Sequence, residues 1–407
     1  MSHPDHQEGA VTWRVHVLTS ASELDEHADL WHSLWNRCEG VRTPYLSVEY
    51  VRTWVTHYGC EGRLHIIVVE DDQSIVGIMP LTTVRYGARP FALEVLETVG
   101  GESRNLIALV APGADMLVAR AVVSHLRGGV LSRRRLLRLT LIPSDHPFLA
   151  ALVQALASVQ GIQTSVRTVT VAPYVPLPAL YEDFERSLGR RRRKYLGRLQ
   201  RRRDRSHQVM RVHQAQADDV DDAMRGLFRL HEARWRAVGI RGLFRGERRR
   251  AFHLDLARVC DRLGWLDLSA MTIDGVVVSV HFVLVLDGVA YLMRSGRDTS
   301  FAEYGIGHLH ELRSFRRWIA EGLREADLLR GSEPYKFYWT RNYRVYAECV
   351  ALRGTVAGSL SLLGARAWIW LARFIAHRHP PREILAYLRT QHAMKRELSA
   401  MGVKLPR

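Results

Sequence analysis

The stretch LLRGSEPYKFYW, residues 328–339, places charged and phenolic side chains directly after two leucines that end a predicted buried strand. Glu333 lies between the cations Arg330 and Lys336, and Tyr335 lies beside it. A carboxylate can accept a proton, a phenol can donate one, and cations can hold an anion. This spacing predicts a reactive cleft at the end of a strand or, as the alternative, an ion pair that secures a turn.

A second candidate is the loop that precedes the amphipathic segment HLHELRSFRRWIAEG, residues 308–322. The loop places Gly305 and Gly307 between a predicted strand and this helix. Backbone amides without partners at a helix N-terminus, together with the helix dipole, favour an anion. The pattern indicates an anion-binding loop, and an ordinary helix start is the competing interpretation.

Histidines offer further candidates. His281 lies in the middle of the predicted strand VSVHFVL, as an alternative proton acceptor or as a hydrogen-bonded core histidine. His308 and His310 are two residues apart on a predicted helix and point to different faces, so the sequence predicts no metal site there.

The elements that position these residues occur in a repeated order. Asp274-Gly275 and Asp287-Gly288 divide residues 265–296 into three β runs, and Asp-Gly between apolar runs predicts type I′ hairpins. The helix that follows has its apolar residues at steps of three and four, and EADLLRG, residues 325–331, reads as the next strand. The first half has the same order of hairpin, strand, glycine-containing loop, helix at about 116–127 and strand at 136–143. The sequence therefore predicts an α/β fold with an internal duplication.

An earlier helix is predicted over LDEHADLWHSLWNRC, with Leu30, Trp31 and Leu34 on its apolar side.

Several segments together resemble the GNAT N-acyltransferase superfamily and, within it, the CelD/BcsL-like acetyltransferases, which are named for cellulose biosynthesis. The segments are LHEARWRAVG, GWLDLSAMTIDGVVVSVHFVLV, YLMRSGRD, EYGIGHL and ADLLRGSEPYK, with SVEYVRTWVTHYG and VVEDDQSIVGIMPL in the first half. The resemblance covers most of residues 12–345 and implies two tandem GNAT-like domains, as in Fem-type peptidyltransferases. Each domain would have a mixed, mostly antiparallel sheet flanked by helices. Two positions depart from the family pattern, because Ala302 replaces an Arg or Gln and Ser332 replaces an Asp.

The resemblance also implies roles. Acetyl-CoA or another acyl-CoA would be the co-substrate, without a metal, and its diphosphate would bind at Tyr304, Gly305, Ile306, Gly307 and His308. The base would be Glu333, with His281 as the alternative, and Tyr335 would be the acid. Substrate-binding candidates are Arg330, Lys336, Trp235 and Arg294, although Trp235 and Tyr304 also fit as packing residues.

The sequence is compatible with three functions. The first is transfer of an acyl group, acetyl by expectation, to an amine of a sugar, metabolite or envelope or polysaccharide precursor. The second is an aminoacyl-tRNA-dependent transferase of Fem type. The third is a non-catalytic GNAT-fold accessory protein of polysaccharide synthesis.

The segment RRRRKYLGRLQRRRDR, residues 190–205, carries ten cations among sixteen residues. Tyr195, Leu196 and Leu199 give it a narrow apolar strip, which predicts a helix. Its cations would form a solvated face, a phosphate-binding face for CoA or a polyanionic acceptor, or a non-specific nucleic-acid or tRNA contact.

The bulk composition fits a globular protein of two domains. The 407 residues carry a net charge of +16, which favours anionic partners, and four scattered cysteines suit a reducing cytoplasm. The polar first residues suggest no secretory signal. Arg366 and Arg373 interrupt the apolar segment 357–377, which predicts an amphipathic helix able to contact a membrane surface and no transmembrane span. The expected divisions are a flexible terminus at 1–11, domains at 12–177 and 178–352, and a helical tail at 353–407.

Overall fold

The computed structural model describes most of the chain in two compact units. The first unit takes residues up to Thr170 and resumes at Val345, and the second runs from Val171 to Arg344. The predicted terminus at 1–11 and the segment 357–377 lie outside the described residues, apart from two single positions. The structure describes residues 13–39, 42–59, 63–87, 92–100, 107–132, 135–205, 210–239 and 242–354, with the single residues 364, 367 and 396.

The first unit is built on one sheet. The strand order is β1-β2-β3-β4-β6-β13, and all neighbours are antiparallel except the parallel pair β4 and β6. The helix α4 lies between β5 and β6 in the chain and has five buried apolar residues. The elements are β1 (Arg14–Leu18), α1 (Ala21–Glu26), α2 (Ala28–Arg37), α3 (Val48–Tyr58), β2 (Leu64–Glu70), β3 (Ile75–Tyr86), β4 (Leu93–Thr98), β5 (Leu109–Val110), α4 (Asp115–His125), β6 (Arg135–Pro143), α5 (Pro147–Ala157), the first part of β7 (Ile162–Pro176), and β13 (Tyr343–Arg353).

The second unit repeats this plan. Its order is β8-β9-β10-β11-β12 followed by the end of β7, and only β11 and β12 are parallel. The helix α10 packs on this sheet with one buried face. That face carries Leu309, Leu312, Phe315 and Ile319 at steps of three and four. The elements are α6 (Tyr181–Ser187), α7 (Arg190–Arg205), β8 (Met210–Gln214), α8 (Val220–Ala237), α9 (Glu247–Arg262), β9 (Leu266–Ile273), β10 (Val276–Leu286), β11 (Val289–Arg297), α10 (Ile306–Ala320), β12 (Glu325–Asp327) and α11 (Pro334–Trp339).

The predicted fold class is confirmed, and so is the repeated order of elements. In each unit a hairpin leads to a strand, then through a loop and a helix to a parallel neighbour. The two Asp-Gly turns have positive φ at both central residues, 50° and 81° at Asp274-Gly275 and 48° and 72° at Asp287-Gly288. These are the conformations that a type I′ turn needs.

Two element predictions are wrong. The early helix is broken at His27 into α1 and α2, and Leu30 is exposed because it lies away from the face that buries Trp31 and Leu34. The predicted strand 325–331 ends at Asp327. Beyond it the Asp327 carboxylate accepts a hydrogen bond from the Leu329 amide at 2.7 Å, while the Leu328 and Gly331 amides still donate to carbonyl oxygens of Pro173 and Val171 in β7.

Candidate active site

The sheet of the second unit parts where β12 ends. β11 and β12 pair over three residues, from Val289 with Glu325 to Tyr291 with Asp327. β11 then continues to Arg297, and within the described residues no strand pairs with that edge beyond Tyr291. The gap between the two strands is therefore visible in the backbone pairing itself.

A small cavity lies at this gap. It is lined by Gly307 from the first turn of α10 and by Tyr335 from the segment after β12. The predicted anion-binding loop and the predicted reactive segment 328–339 therefore meet there. Its nine lining residues all belong to the second unit, and they are Arg234, Ser279, His281, Ser295, Gly296, Arg297, Gly307, Glu311 and Tyr335.

The N-terminus of α10 opens toward this region without a side-chain cap. Gly305 precedes the helix with φ of +62°, a left-handed conformation that favours glycine. A Cβ atom at Gly305 would lie 2.5 Å from the Leu199 side chain, and one at Gly307 would lie 2.9 Å from Arg297 Nη1. Neither glycine has room for a side chain, and no described side chain caps the first amides of α10, which is the arrangement that favours an anionic group.

Glu311 is the one carboxylate among the cavity residues, and it was missed by the sequence analysis. Its side chain is buried on α10, and Glu311 Oε2 accepts a hydrogen bond from Trp339 Nε1 at 2.7 Å. Burial raises the pKa of Glu311 to about 7, against the lowering effects of that hydrogen bond and of Arg297 and Arg234. A carboxyl group with this pKa exchanges a proton near neutral pH.

The signal for Glu311 was present in the sequence. Glu311 lies four residues before Phe315 and four after Gly307, so it occupies the face of the helix that packs on the sheet. A glutamate on the apolar face of an amphipathic helix departs from the usual pattern and is a candidate for function.

Lys336 and Glu333 form part of the turn after β12. Lys336 is buried, and its Nζ donates to the carbonyl oxygens of Leu329 at 3.1 Å and Arg330 at 2.5 Å. Nζ also lies 3.0 Å from Glu333 Oε2. These contacts hold a turn in which Leu329 has φ of +56° and Gly331 has φ of +120°. The predicted base Glu333 and the predicted ligand Lys336 are thus paired with each other, and neither lines the cavity.

Tyr335 does line the cavity, as its predicted role requires. Burial, followed by the charges of Glu333 and Glu311, raises the pKa of the Tyr335 phenol above its usual value. The phenol therefore stays protonated at neutral pH and is able to donate.

His281 also lines the cavity, stacked on His310 with ring centroids 3.7 Å apart. His310 makes hydrogen bonds at both ring nitrogens, to Ser269 at 3.0 Å and Ser279 at 2.9 Å. Burial lowers the pKa of His281 to about 3, which leaves a neutral imidazole that is a weak proton acceptor at pH 7.

The other predicted residues lie around this region without forming part of the cavity lining. Trp235 Nε1 donates to His231 Nε2 at 3.0 Å, and the Arg202 guanidinium lies 5.3 Å from the Tyr304 ring centroid. His308 packs edge-on against Tyr338 at 4.4 Å between ring centroids. Arg294 and Arg330 are half-buried, and the Arg294 guanidinium donates to its neighbour's carbonyl oxygen at 2.7 Å. The roles predicted for these residues stay predictions.

The basic segment forms the helix α7, as expected, and it packs beside α10. Leu199 shares a buried cluster with Ile306 and Leu309, and Leu196 packs with Phe315 in a second cluster. Arg202 of α7 pairs with Glu303 and lies 5.3 Å from the Tyr304 ring centroid, just before α10 begins. The other exposed cations among the described side chains of α7 are Arg190, Arg191, Arg193, Lys194, Arg198, Arg201 and Arg205.

No group of three or more potential metal ligands occurs among the described side chains. In the parts of the chain described here, every helix is too short or too polar to cross a bilayer.

Residues 190–337, which lie within the second unit, match the model of the acetyltransferase (GNAT) domain. No curated protein matches the sequence. Among solved structures, FemX has a TM-score of 0.55 at 10% identity, over 83% of this chain and 96% of that chain. A conserved protein of unknown function from Bacteroides thetaiotaomicron has a TM-score of 0.53 at 12% identity, over 83% and 99%. The C-terminal domain of a protein named as a lysylphosphatidylglycerol synthetase from Agrobacterium fabrum has a TM-score of 0.51 at 11% identity, over 85% and 96%.

These likenesses extend over most of the chain and agree with the observed topology. The chain shares its fold with these structures over most of its length, and residues 190–337 of the second unit are similar to a GNAT acetyltransferase domain.

The raised pKa of Glu311 predicts how stability depends on pH. The folded state holds the proton more tightly than the unfolded chain, whose glutamate has a pKa near 4.5, so stability is lost as pH rises from there to about 7. Glu311→Gln removes this loss while its amide oxygen can still accept from Trp339. We expect the variant to gain stability over wild type between these pH values, reaching on the order of 3 kcal/mol above pH 7. Urea titrations of both proteins from pH 4 to 8 measure the difference.

The matched control is Glu321→Gln, at the other end of α10, where the side chain is exposed beside Arg317. A Glu311→Gln gain that does not change with pH would show that the folded-state pKa of Glu311 is ordinary.

Proposed function

We propose that the second unit transfers an acyl group from acyl-CoA to an amine, with Glu311 as the base and Tyr335 as the acid. The observation that carries this proposal is the cavity at the parted β11 edge, which contains Glu311, Tyr335 and the first turn of α10 together. The GNAT domain match to residues 190–337 supports the reaction class.

The residues present fit the co-substrate. The uncapped amides at Ile306 and Gly307 suit a diphosphate, and Arg202 of α7, which lies over Tyr304, suits a further phosphate. Bound acyl-CoA would supply the thioester. Ala302 replaces the Arg or Gln that is usual in the family loop, so the backbone amides would hold the diphosphate without that side chain.

The chemistry requires two proton movements. Transfer joins the acceptor nitrogen to the acyl carbon and breaks the carbon–sulfur bond, so one proton leaves the nitrogen and one reaches the thiolate. Glu311 has the pKa to take the first near neutral pH, and the protonated Tyr335 phenol can provide the second. Backbone amides on the unpaired edge of β11 would stabilise charge on the acyl oxygen.

Binding of CoA tests the proposal. CoA at about 100 times its Kd should stabilise the folded protein by about 2.7 kcal/mol, because it binds only the folded state. Gly307→Ala adds a Cβ against Arg297 and should weaken this binding about tenfold, whereas Gly246→Ala, where the added Cβ meets no atom within 4 Å, should not. Thermal unfolding with a CoA titration measures both.

A second candidate function rests on the same helix. The helix α7 packs on α10 and has eight exposed cations among its described side chains, and the chain shares the fold of FemX at a TM-score of 0.55. An aminoacyl-tRNA donor would use these cations for its backbone phosphates. A tRNA complex that persists at about 0.15 M salt, together with no stabilisation by millimolar CoA, would replace the first function by this one.

Amines of sugars and of envelope or polysaccharide precursors remain the acceptors suggested by the CelD/BcsL-like resemblance. An accessory role without catalysis would be favoured if neither CoA nor tRNA stabilises the protein.

A further inference from the structure

Two arginines of the cavity have no hydrogen-bonded or ionic partner in the part of the chain that the structure describes. Arg234 comes from α8 and Arg297 ends β11, and both side chains are half-buried. Both guanidinium groups line the cavity together with Glu311 and Tyr335. Arginines in such places usually pair with a carboxylate or phosphate.

Partial burial of two like charges close together is unfavourable for the folded state. Burial and, next, the charge of Arg297 lower the pKa of Arg234, against the raising effects of Tyr335, Glu333 and Glu311. A partly buried charge is stabilised when a counter-ion takes the place of the lost water. An anion between the two arginines would relieve both the desolvation and the repulsion.

The protein itself does not supply enough negative charge. Glu311 is the only carboxylate among the lining residues, and with a pKa of about 7 it is partly protonated at neutral pH. Glu333, which also acts on Arg234, is paired with Lys336. Two full positive charges thus face at most one negative charge, so the lining keeps a net charge of at least +1.

We infer that the acceptor carries an acid group, a carboxylate or a phosphate, close to its amine, and that Arg234 and Arg297 hold this group. The inference rests on the proposed function, because it takes the amine to lie at Glu311. An amine at Glu311 would lie in the same cavity that Arg234 and Arg297 line. The planar fork of a guanidinium suits the two oxygens of a carboxylate or phosphate.

One other source has the same chemistry. Arg297 lies against Gly307 at the start of α10, so a phosphate of CoA is the rival anion for this pair. The two sources are separated by whether the anion and CoA bind together or compete.

The experiment uses the full chain and inorganic phosphate as the probe. Thermal unfolding is followed while phosphate replaces chloride at constant ionic strength, with and without saturating CoA. The expected result is a saturable stabilisation by phosphate that persists in the presence of CoA. Arg234→Gln and Arg297→Gln should each weaken the apparent phosphate affinity about tenfold or more, because each removes a charge-assisted pair. Arg236→Gln, an exposed neighbour on α8, is the control and should behave as wild type.

A further readout separates binding from a structural role. Without phosphate, Arg234→Gln should unfold at the same temperature as wild type or higher, because it removes the repulsion with Arg297. If it unfolds at a lower temperature, Arg234 is a structural residue, and Arg234→Lys then tests whether charge alone restores the phosphate effect. Lysine lacks the planar fork, so partial recovery of phosphate affinity with full recovery of stability supports the inference. Phosphate affinity that is the same in Arg234→Gln, Arg234→Lys and wild type would overturn it.

The outcomes distinguish this inference from the proposed function. Phosphate stabilisation that disappears when CoA saturates assigns the arginines to CoA, which overturns the anionic acceptor and leaves the acyltransferase intact. Stabilisation that is the same in all variants also overturns it. Arginine-dependent phosphate binding in a protein that CoA does not stabilise would retain the anion site and remove the acyl-CoA donor.

Discussion

Glu311→Gln is expected to lower kcat by about 10²–10⁴-fold, the range that a positioned general base contributes. The amide cannot take the proton that the attacking nitrogen must lose. Its oxygen can still accept the hydrogen bond from Trp339, so the packing of α10 should be kept. Release of the CoA thiol with the best amine from an acceptor screen measures the rate, and circular dichroism confirms the fold.

The pH dependence gives a sharper form of the same result. In wild type, kcat/KM should rise with pH through an apparent pKa near 7, because only the ionised carboxylate accepts the proton. The limb near pH 7 should be absent in Glu311→Gln. Glu321→Gln, on the exposed end of the same helix, should keep the wild-type profile.

Glu333 is the rival base, because the sequence places it in the same cleft. With its carboxylate at 3.0 Å from the Lys336 ammonium, we expect Glu333→Gln to change kcat far less than Glu311→Gln. A large loss in Glu333→Gln, with Glu311→Gln near wild type, would return the role to Glu333 and remove Glu311 from the mechanism.

The architecture could be predicted because local sequence signals carried it. The turns at Asp274-Gly275 and Asp287-Gly288 require positive φ, which few residue pairs tolerate, and the sequence shows them directly. The helix α10 reveals its buried face through apolar residues at steps of three and four. Such signals depend only on residues that are close in the chain, so the repeated order of elements could be predicted from the sequence.

The site could be predicted less well than the fold, because its chemistry depends on residues that are far apart in the sequence. The pKa of Glu311 is set by burial and by Trp339, Arg297 and Arg234, which come from three other segments. A period of 3.6 residues identifies a helix face, but it does not reveal whether the face meets packed side chains or a gap in the sheet. That gap arises where β12 stops at Asp327, and it determines which side chains line the cavity.

Glu311 is a candidate that the sequence prediction omitted, whereas Lys336 was predicted to bind substrate and has a structural role instead. A lysine close to a predicted cleft suggests substrate binding, yet its ammonium is buried against the carbonyl oxygens of Leu329 and Arg330. The hydrophobic stem and three donors of lysine suit this use, and the sequence contains no signal that separates the two roles.

Lys336→Met is expected to destabilise the protein by about 3–5 kcal/mol, the range for breaking a buried charged contact. Methionine keeps most of the stem but leaves two buried carbonyl oxygens without their donor and Glu333 without its cation. The turn then loses the contacts that hold Leu329 and Gly331 at positive φ. Urea unfolding at pH 7 measures the change, and Lys194→Met, an exposed lysine on α7, is the matched control that should stay near wild type.

A double-mutant cycle with Glu333→Gln separates two contributions of Lys336 to stability: its ion pair with Glu333 and its hydrogen bonds to the two carbonyl oxygens of the turn. If Lys336 acts mainly through the two carbonyl oxygens, Glu333→Gln alone should cost little, and Lys336→Met should cost nearly as much in its presence as in wild type. A Lys336→Met protein that unfolds at the wild-type urea concentration would show that the ammonium does not hold the turn. The gap between β11 and β12 would then depend on Asp327 and the backbone alone, and Lys336 would again be a candidate for substrate binding.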